Sequence, residues 1–204
     1  MSFDEYAKNW DTDIRIKRAK VISNEIIKSI DIKDNPTAME FGCGTGLISF
    51  NIYEKFKSIT LVDSSQGMID ILKDKITKYE INNMTPCKID ILNEEFTSKK
   101  FDVIFSSMVL HHIKDTSKII KNFYELLNTL GTLCIIDLDK EDGSFHRNEP
   151  DFKGHNGFDQ EELKSILLKI GFRDVEIKTF YRDEKVIDDK EIDYSLFLLK
   201  ARKY

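Results

Sequence analysis

Three closely spaced glycines, scattered carboxylates and two adjacent histidines are the residue types in this chain that could bind a ligand or move a proton. Gly42, Gly44 and Gly46 lie in MEFGCGTGLISF, residues 39–50, directly behind an apolar run. Glycine loses more backbone entropy on folding than any other residue. A cluster of three implies a backbone that turns tightly or lets something approach closely. The segment reads as strand, loop and helix start, and a helix N-terminus favours an anionic group. Two nucleotide-loop patterns fail. G-x-G-x-x-G needs its third glycine at position 47 or 49, which hold Leu47 and Ser49, and G-x-x-x-x-G-K-[ST] fails because Leu47 follows Gly46. What stands is E-x-G-x-G-x-G, from Glu40 to Gly46.

One helix and one strand further on comes Asp63, in LVDSSQGM. An acidic side chain at the end of a second strand can accept hydrogen bonds from both hydroxyls of a ribose, and charge-assisted bonds suit a carboxylate there. His111 and His112 follow a fourth apolar run. Beyond a fifth, DLDKEDGSFH brings Asp137, Asp139, Glu141, Asp142 and His146, and KGHNGF adds His155. Neighbouring histidines point different ways, so one can face a pocket while the other packs. His112 is the candidate base, its ordinary pKa leaving a neutral fraction near pH 7; the alternative is a histidine that orders its loop. The acidic and histidine stretch reads as an acceptor pocket lined by His112, Asp137, His146 and His155, as a metal site, since histidine and carboxylate suit several divalent ions, or as a solvated charged loop. It lacks a compact ligand spacing such as H-E-x-x-H, and no metal is expected.

These residues need a scaffold. Thr37–Phe41, Ile59–Val62, Phe101–Phe105 and Thr132–Leu138 read as short buried strands. Ile69, Leu72, Ile76 and Tyr79 mark one helical stripe, and Ile119, Phe123, Leu126 and Leu127 another. Strands alternating with helices predict a parallel sheet covered on both sides, with ligands at the strand C-termini. The first 34 or so residues read as an amphipathic helical segment, with Ile22, Ile26, Ile27 and Ile30 buried. Asp159 and Glu162 form a capping box for a helix that Gly171 ends. Val175–Phe180 and Tyr194–Leu199 read as two final antiparallel strands around a charged turn. Residues 140–158 form a long polar loop, and loops of that length are often functional. The whole, residues 1–204, reads as one domain.

The chain has 204 residues, 41% hydrophobic and 33% charged, with net charge −5. That balance suits a soluble domain and speaks against a nucleic-acid binder. The start shows no signal peptide and no apolar run is long enough to span a bilayer. Cys43, Cys87 and Cys134 are few and widely spaced, which predicts a reducing, cytoplasmic setting.

Taken in order, these motifs resemble those of class I S-adenosylmethionine-dependent methyltransferases, in their small-molecule, UbiE-like branch. Glu40–Gly46 resembles the first motif and Asp63–Met68 the second. KIDIL, residues 88–92, resembles the third-strand end, FDVIFSSMVLHHI the fourth strand and its loop, and LLNTLGTLCIID the fifth unit, with the usual paired glycines reduced to Gly131. GFDQEEL with LLKIGFRDVEI resembles the closing region. The resemblance implies a Rossmann-like α/β fold: a seven-stranded, mostly parallel sheet with helices on both faces and an antiparallel last strand. It implies S-adenosyl-L-methionine as cofactor, held around Gly42, Cys43, Gly44 and Gly46, with Asp63 and Ser64 at the ribose, Asp90 and Ile91 at the adenine, and Ser106 nearby. Glu40 would meet the cofactor's amino-acid end or bond the turn's N–H groups. Met68 would pack on the adenine or ribose, or serve as core. Tyr6 and Trp10 would close over the pocket or anchor a helix.

Methyl transfer from a sulfonium releases a neutral thioether, so positioning can supply much of the catalysis. A base is needed only if the acceptor must lose a proton. The expected function is methylation of a small molecule. The alternatives are an RNA or protein methyltransferase, and a regulatory protein that binds the cofactor without turnover.

Overall fold

Alternation of the apolar runs builds a sheet buried on both faces. The computed structural model describes residues 3–30, 35–90, 99–149 and 151–204. Among these, β1 (Thr37–Phe41), β2 (Ser58–Asp63), β3 (Met84–Lys88), β4 (Phe101–Ser107), β5 (Leu127–Leu138), β6 (Arg173–Ile187) and β7 (Lys190–Arg202) form one sheet in the order β3-β2-β1-β4-β5-β7-β6. Neighbours from β3 to β5 pair in parallel, whereas β7 runs antiparallel between β5 and β6. Pro86 lies in β3, an edge strand, where a missing N–H is tolerated.

On one face Ala38, Ile59, Leu61, Phe105 and Ile136 pack with buried residues of α2 (Asp13–Ser29), α3 (Ser49–Ile52) and α4 (Gln66–Lys78). On the other, Met39, Phe41, Ile104, Leu133 and Ile135 meet α5 (Thr116–Leu126) and α6 (Gln160–Ile170). Odd and even positions of a strand thus serve opposite cores, as the pleat requires. A one-turn helix, α1 (Phe3–Tyr6), precedes them. Asp159 caps α6 by accepting from the Glu161 and Glu162 amides, and Gly171 ends it at φ +124°.

Several boundaries differ from the sequence reading. Leu127 opens β5 instead of closing the α5 stripe. Tyr79 is the C-cap of α4 and 58% exposed, because the helix stops before its ring could turn inward. The last two strands are far longer than their apolar runs. Their charged residues stay paired in a ladder from Tyr181↔Leu196 to Ile187↔Lys190. The turn is only Asp188 and Asp189, both at positive φ, the pair of conformations a two-residue hairpin turn needs. This extension acts as a wall. The Lys185 ammonium donates to the Phe145 carbonyl at 2.8 Å, Tyr194 packs edge-on to Phe145, and Asn148 donates to Asp188. The hairpin therefore backs the 3-10 turn Ser144–His146.

The 140–158 loop is also tied down. Its ends pair where Lys140 and Phe158 exchange backbone bonds with Phe158 and Leu138, and Glu141 N donates to the Asn156 carbonyl. At its root, Asp139 accepts from Gln160 Nε2 at 2.6 Å, Thr179 Oγ1 at 2.9 Å and Ser195 Oγ at 2.7 Å, joining β5 to α6, β6 and β7. Hydrogen bonds to a charged acceptor each contribute on the order of 1.5–3 kcal/mol. Asp139→Ala is therefore expected to lower unfolding free energy by about 2–3 kcal/mol in urea titration. An unchanged midpoint would show that this junction is held by packing alone.

Candidate active site

The glycine loop leaves β1 across the end of β2. Gly42 N and Cys43 N both donate to the Val62 carbonyl, at 2.8 and 3.0 Å. Next in the strand, Asp63 uses both carboxylate oxygens: Oδ2 accepts from Gly44 N at 2.7 Å and Oδ1 from Ser65 N at 2.9 Å. One side chain thus couples the loop to the start of α4. Burial raises its pKa, opposed by these backbone donors.

The glycines are not equivalent. A side chain at Gly42 would overlap Val109 at 2.3 Å, and one at Gly46 would meet Leu72 at 2.7 Å. At Gly44 the nearest atoms are Trp10 Nε1 at 3.6 Å and Met68 Sδ at 3.9 Å. The first two glycines are demanded by packing within the protein. At Gly44 a Cβ would meet the indole and the thioether only at van der Waals distance, without overlap, and the φ of +52° is what favours glycine there.

Glu40 sits beneath the loop, 2% exposed, and accepts a short hydrogen bond from Ser49 Oγ at the start of α3. Burial pushes its pKa up to about 8, against the pull of the Ser49 hydroxyl and amide. Cys43 is buried with its thiol pKa pushed well up by burial, so it is an inert packing residue. Ser106 is buried and donates to the Phe41 carbonyl at 3.0 Å, fastening β4 to β1. Ser64 is exposed at the turn after β2, and Met68 is 2% exposed with its amide capped by Ser65 Oγ. Asp90 is half-buried just past β3, where the Ile89 amide bonds the Asp63 carbonyl at 3.1 Å. Ile91 lies outside the described residues.

The N-terminal segment straps this region. Asp4 accepts from Ser65 Oγ at 2.5 Å and Gly67 N at 2.8 Å, at the N-terminus of α4, where negative charge is favoured. Asp11 accepts from Thr45 Oγ1 at 2.5 Å and from Lys75 Nζ at 2.9 Å, and Lys75 also holds the Thr45 carbonyl. Between these ties Trp10 is held by Arg15, whose guanidinium stacks 4.0 Å from the ring centroid and bonds the Trp10 carbonyl. Phe3 bridges from Trp10 to His112, edge-on to both rings, while Tyr6 is 47% exposed.

The histidines separate by role. In the turn Leu110–His112, it is His111 that meets Asp137: its amide donates to Oδ2 at 3.2 Å and its Nδ1 lies 2.5 Å from Oδ1. Asp137, fully buried, lines no open pocket; it orients the His111 ring from behind. His155 staples the loop by donating Nε2 to the Ile113 and Lys114 carbonyls, while its amide bonds the His111 carbonyl at 2.7 Å. Gly154 beside it has no space for a side chain, which would fall 2.0 Å from that carbonyl. His146 arrives from the other loop and stacks flat on Phe152, centroids 3.8 Å apart. The ring of His112 lies 4.1 Å from His111 and 5.5 Å from His146, Phe152 and Phe3. Although His112 keeps an exposed edge, burial among these rings and then His111 push its pKa down to about 4. The same causes hold His146 at about 3. Sequence reasoning passed over His111, Phe3 and Phe152; the doubled histidine and the glycine next to His155 were the only traces.

The profile described as "Methyltransferase domain" matches residues 32–186. This chain belongs to the S-adenosylmethionine-dependent methyltransferase family. An uncharacterised methyltransferase of Schizosaccharomyces pombe is 30% identical over 159 residues, 71% of this chain and 56% of that protein. The chain spans about half the length of the curated relatives it matches. Among solved structures, phosphoethanolamine N-methyltransferase 2 of Haemonchus contortus, in complex with S-adenosyl-L-methionine, aligns with a TM-score of 0.75 at 18% identity, covering 100% of this chain and 60% of that one. The N-methyltransferase NodS of Bradyrhizobium japonicum, with S-adenosyl-L-homocysteine, gives 0.68 at 19%, covering 95% and 89%. These two likenesses show the fold.

For a methyltransferase of this family, the residues fit the cofactor. The Gly44 backbone carries no side chain between Trp10 and Met68, and the Asp63 carboxylate stands at the adjoining strand end. Glu40 supplies a measurable signature of the loop's buried floor. Its unfolded pKa is near 4.5 and its folded value about 8, so between these pH values only the folded state holds the proton. Stability then falls as pH rises through that window and levels off above it. In Glu40→Gln the fall should flatten, the variant gaining up to about 4 kcal/mol relative to wild type between pH 5 and 8, at about 1.4 kcal/mol per pH unit, read by denaturation at each pH. Parallel pH profiles would show that Glu40 is ionised in the fold.

Proposed function

We propose that this domain methylates a small-molecule acceptor, with S-adenosylmethionine seated along the glycine loop and the acceptor beside His112. The observation that carries the reading is the Gly44 backbone, held at φ +52° by the Asp63 carboxylate, with the Trp10 indole and the Met68 thioether within van der Waals reach of it. In this reading the loop backbone runs under the aminoacyl part. Asp63 has lone pairs beyond those bonded to Gly44 and Ser65, and these accept from the ribose. Ser64 lies at the same turn, Asp90 would meet the adenine amino group, and Met68 would pack on the ring; the adenine role assigned to Ile91 lies outside the described residues. The cofactor supplies a methyl group on a sulfonium that departs as a neutral thioether. What the chain supplies is alignment and exclusion of water, through the strap carrying Phe3, Tyr6 and Trp10.

His112 offers a neutral imidazole to the acceptor. A conjugate acid with a pKa of about 4 is poorly matched to removing a proton near pH 7, so its part is to orient the acceptor. His146 and Asp137 back that face, and His155 fixes its loop. The net charge of −5 favours a small acceptor over RNA. We place the protein, read as one domain, in the cytoplasm: its three cysteines are free thiols, and among the described residues no helix is long and apolar enough to cross a membrane.

Calorimetry should show binding of S-adenosylmethionine and S-adenosylhomocysteine. Asp63→Ala should weaken it by about 1.5–3 kcal/mol, the scale of lost charged hydrogen bonds, with melting followed alongside because the same side chain holds Gly44. Incubation of cell extract with labelled cofactor should place the label in the low-molecular-weight fraction. Label confined to RNA or protein would overturn the small-molecule assignment.

A further inference from the structure

His111, His112 and His146 come from two loops, 34 positions apart at their closest, yet each offers a ligand atom within 4.8 Å of the other two. Nothing in the methyl-transfer reading uses all three. Two features set them apart from a chance meeting of rings. First, the Asp137 carboxylate fixes the Nδ1–H of His111, so the remaining nitrogen, Nε2, carries the lone pair. A carboxylate behind an imidazole is the arrangement that orients a metal-ligating histidine. Second, Nδ1 of His146 is buried with no hydrogen-bond partner among the described residues, although its ring is held by stacking on Phe152 and the residue is 6% exposed. An unpaired buried polar nitrogen is costly, and a coordinate bond would satisfy it.

We propose that His111, His112 and His146 form a binding site for a divalent transition-metal ion of the zinc, cobalt and nickel class. Imidazole nitrogen suits these ions, and three protein ligands leave at least one coordination position open. In a tetrahedral zinc site neighbouring nitrogens lie about 3.4 Å apart, so the rings need a small inward turn to close on one ion. His112, the exposed member, has the freedom to make it. The open position would accept an oxygen or sulfur atom of the acceptor; that consequence rests on the methyl-transfer reading, whereas ion binding does not.

The test uses the full chain, freed of metal with a chelator and dialysed. Titration with zinc(II) in a calorimeter and with cobalt(II) by visible absorption should show one equivalent per chain, with no thiolate charge-transfer band. His146→Ala and His112→Ala should each weaken binding at least tenfold, and Asp137→Asn should do so by about tenfold or more, the usual effect of removing such a carboxylate. His112 is exposed, so its variant tests the site even if the buried His146 variant fails to fold. No stoichiometric binding by the folded wild-type chain, or binding that survives His112→Ala undiminished, overturns the proposal. S-adenosylmethionine binding is measured on the same metal-free samples. Its loss would sink the functional reading and leave the ion site standing, and the converse holds.

Discussion

The Asp63 carboxylate is the constraint on which the site depends. A glycine-rich loop with three residues at positive φ has many conformations open to it when unfolded, and nothing intrinsic selects one. The choice is made by two amide bonds to a single side chain at the end of β2, one from Gly44 and one from Ser65. Because β2 is held in register between β1 and β3, the carboxylate position is set by the sheet. The loop and the first turn of α4 then inherit that position. The N-terminal strap uses the same logic from outside, with Asp4 at the α4 N-terminus and Asp11 on Thr45. Three aspartates thus hold the walls of the cleft against one helix end and one loop.

What could be read from the sequence follows from how local each signal is. Strands β1, β2, β4 and β5 were legible because each carries a short apolar run, and Thr37–Phe41 is found with the same bounds; β3, MTPCK at the sheet edge, carries none. The final hairpin was not, because Tyr181–Ile187 and Lys190–Asp193 carry alternating charge and read as loop. They stay extended because a two-aspartate turn closes the ladder, and because the hairpin end packs on Phe145. Tyr79 failed for the opposite reason: a good helical spacing ran one step past the helix.

The site divides in the same way. Gly42, Gly44, Gly46 and Asp63 could be picked out because their types are unusual for their positions. That Gly42 and Gly46 are required by Val109 and Leu72, leaving Gly44 as the one of the three where a Cβ would not overlap a neighbour, is a fact of packing over long sequence separations. The partner of Asp137 was equally hidden. Adjacent histidines look interchangeable in a sequence, and only the 3-10 turn at Leu110–His112 decides that His111 points back to β5 while His112 points toward Phe3.

The acidic stretch after β5 offers carboxylates that could hold a cation, and their contacts argue against that chemistry. Asp137 is committed to His111 and to the Leu138 amide, and Asp139 to three side chains around it. Asp142 caps the Ser144 amide, and Glu141 accepts from Gly143 and Phe145 through Oε2. These acids shape the loop by satisfying backbone N–H groups that a long polar segment would otherwise leave exposed. Their work delivers His146 to His111 and His112. Charge in the sequence therefore marks how the loop is folded, and the chemistry passes to the rings the loop brings together.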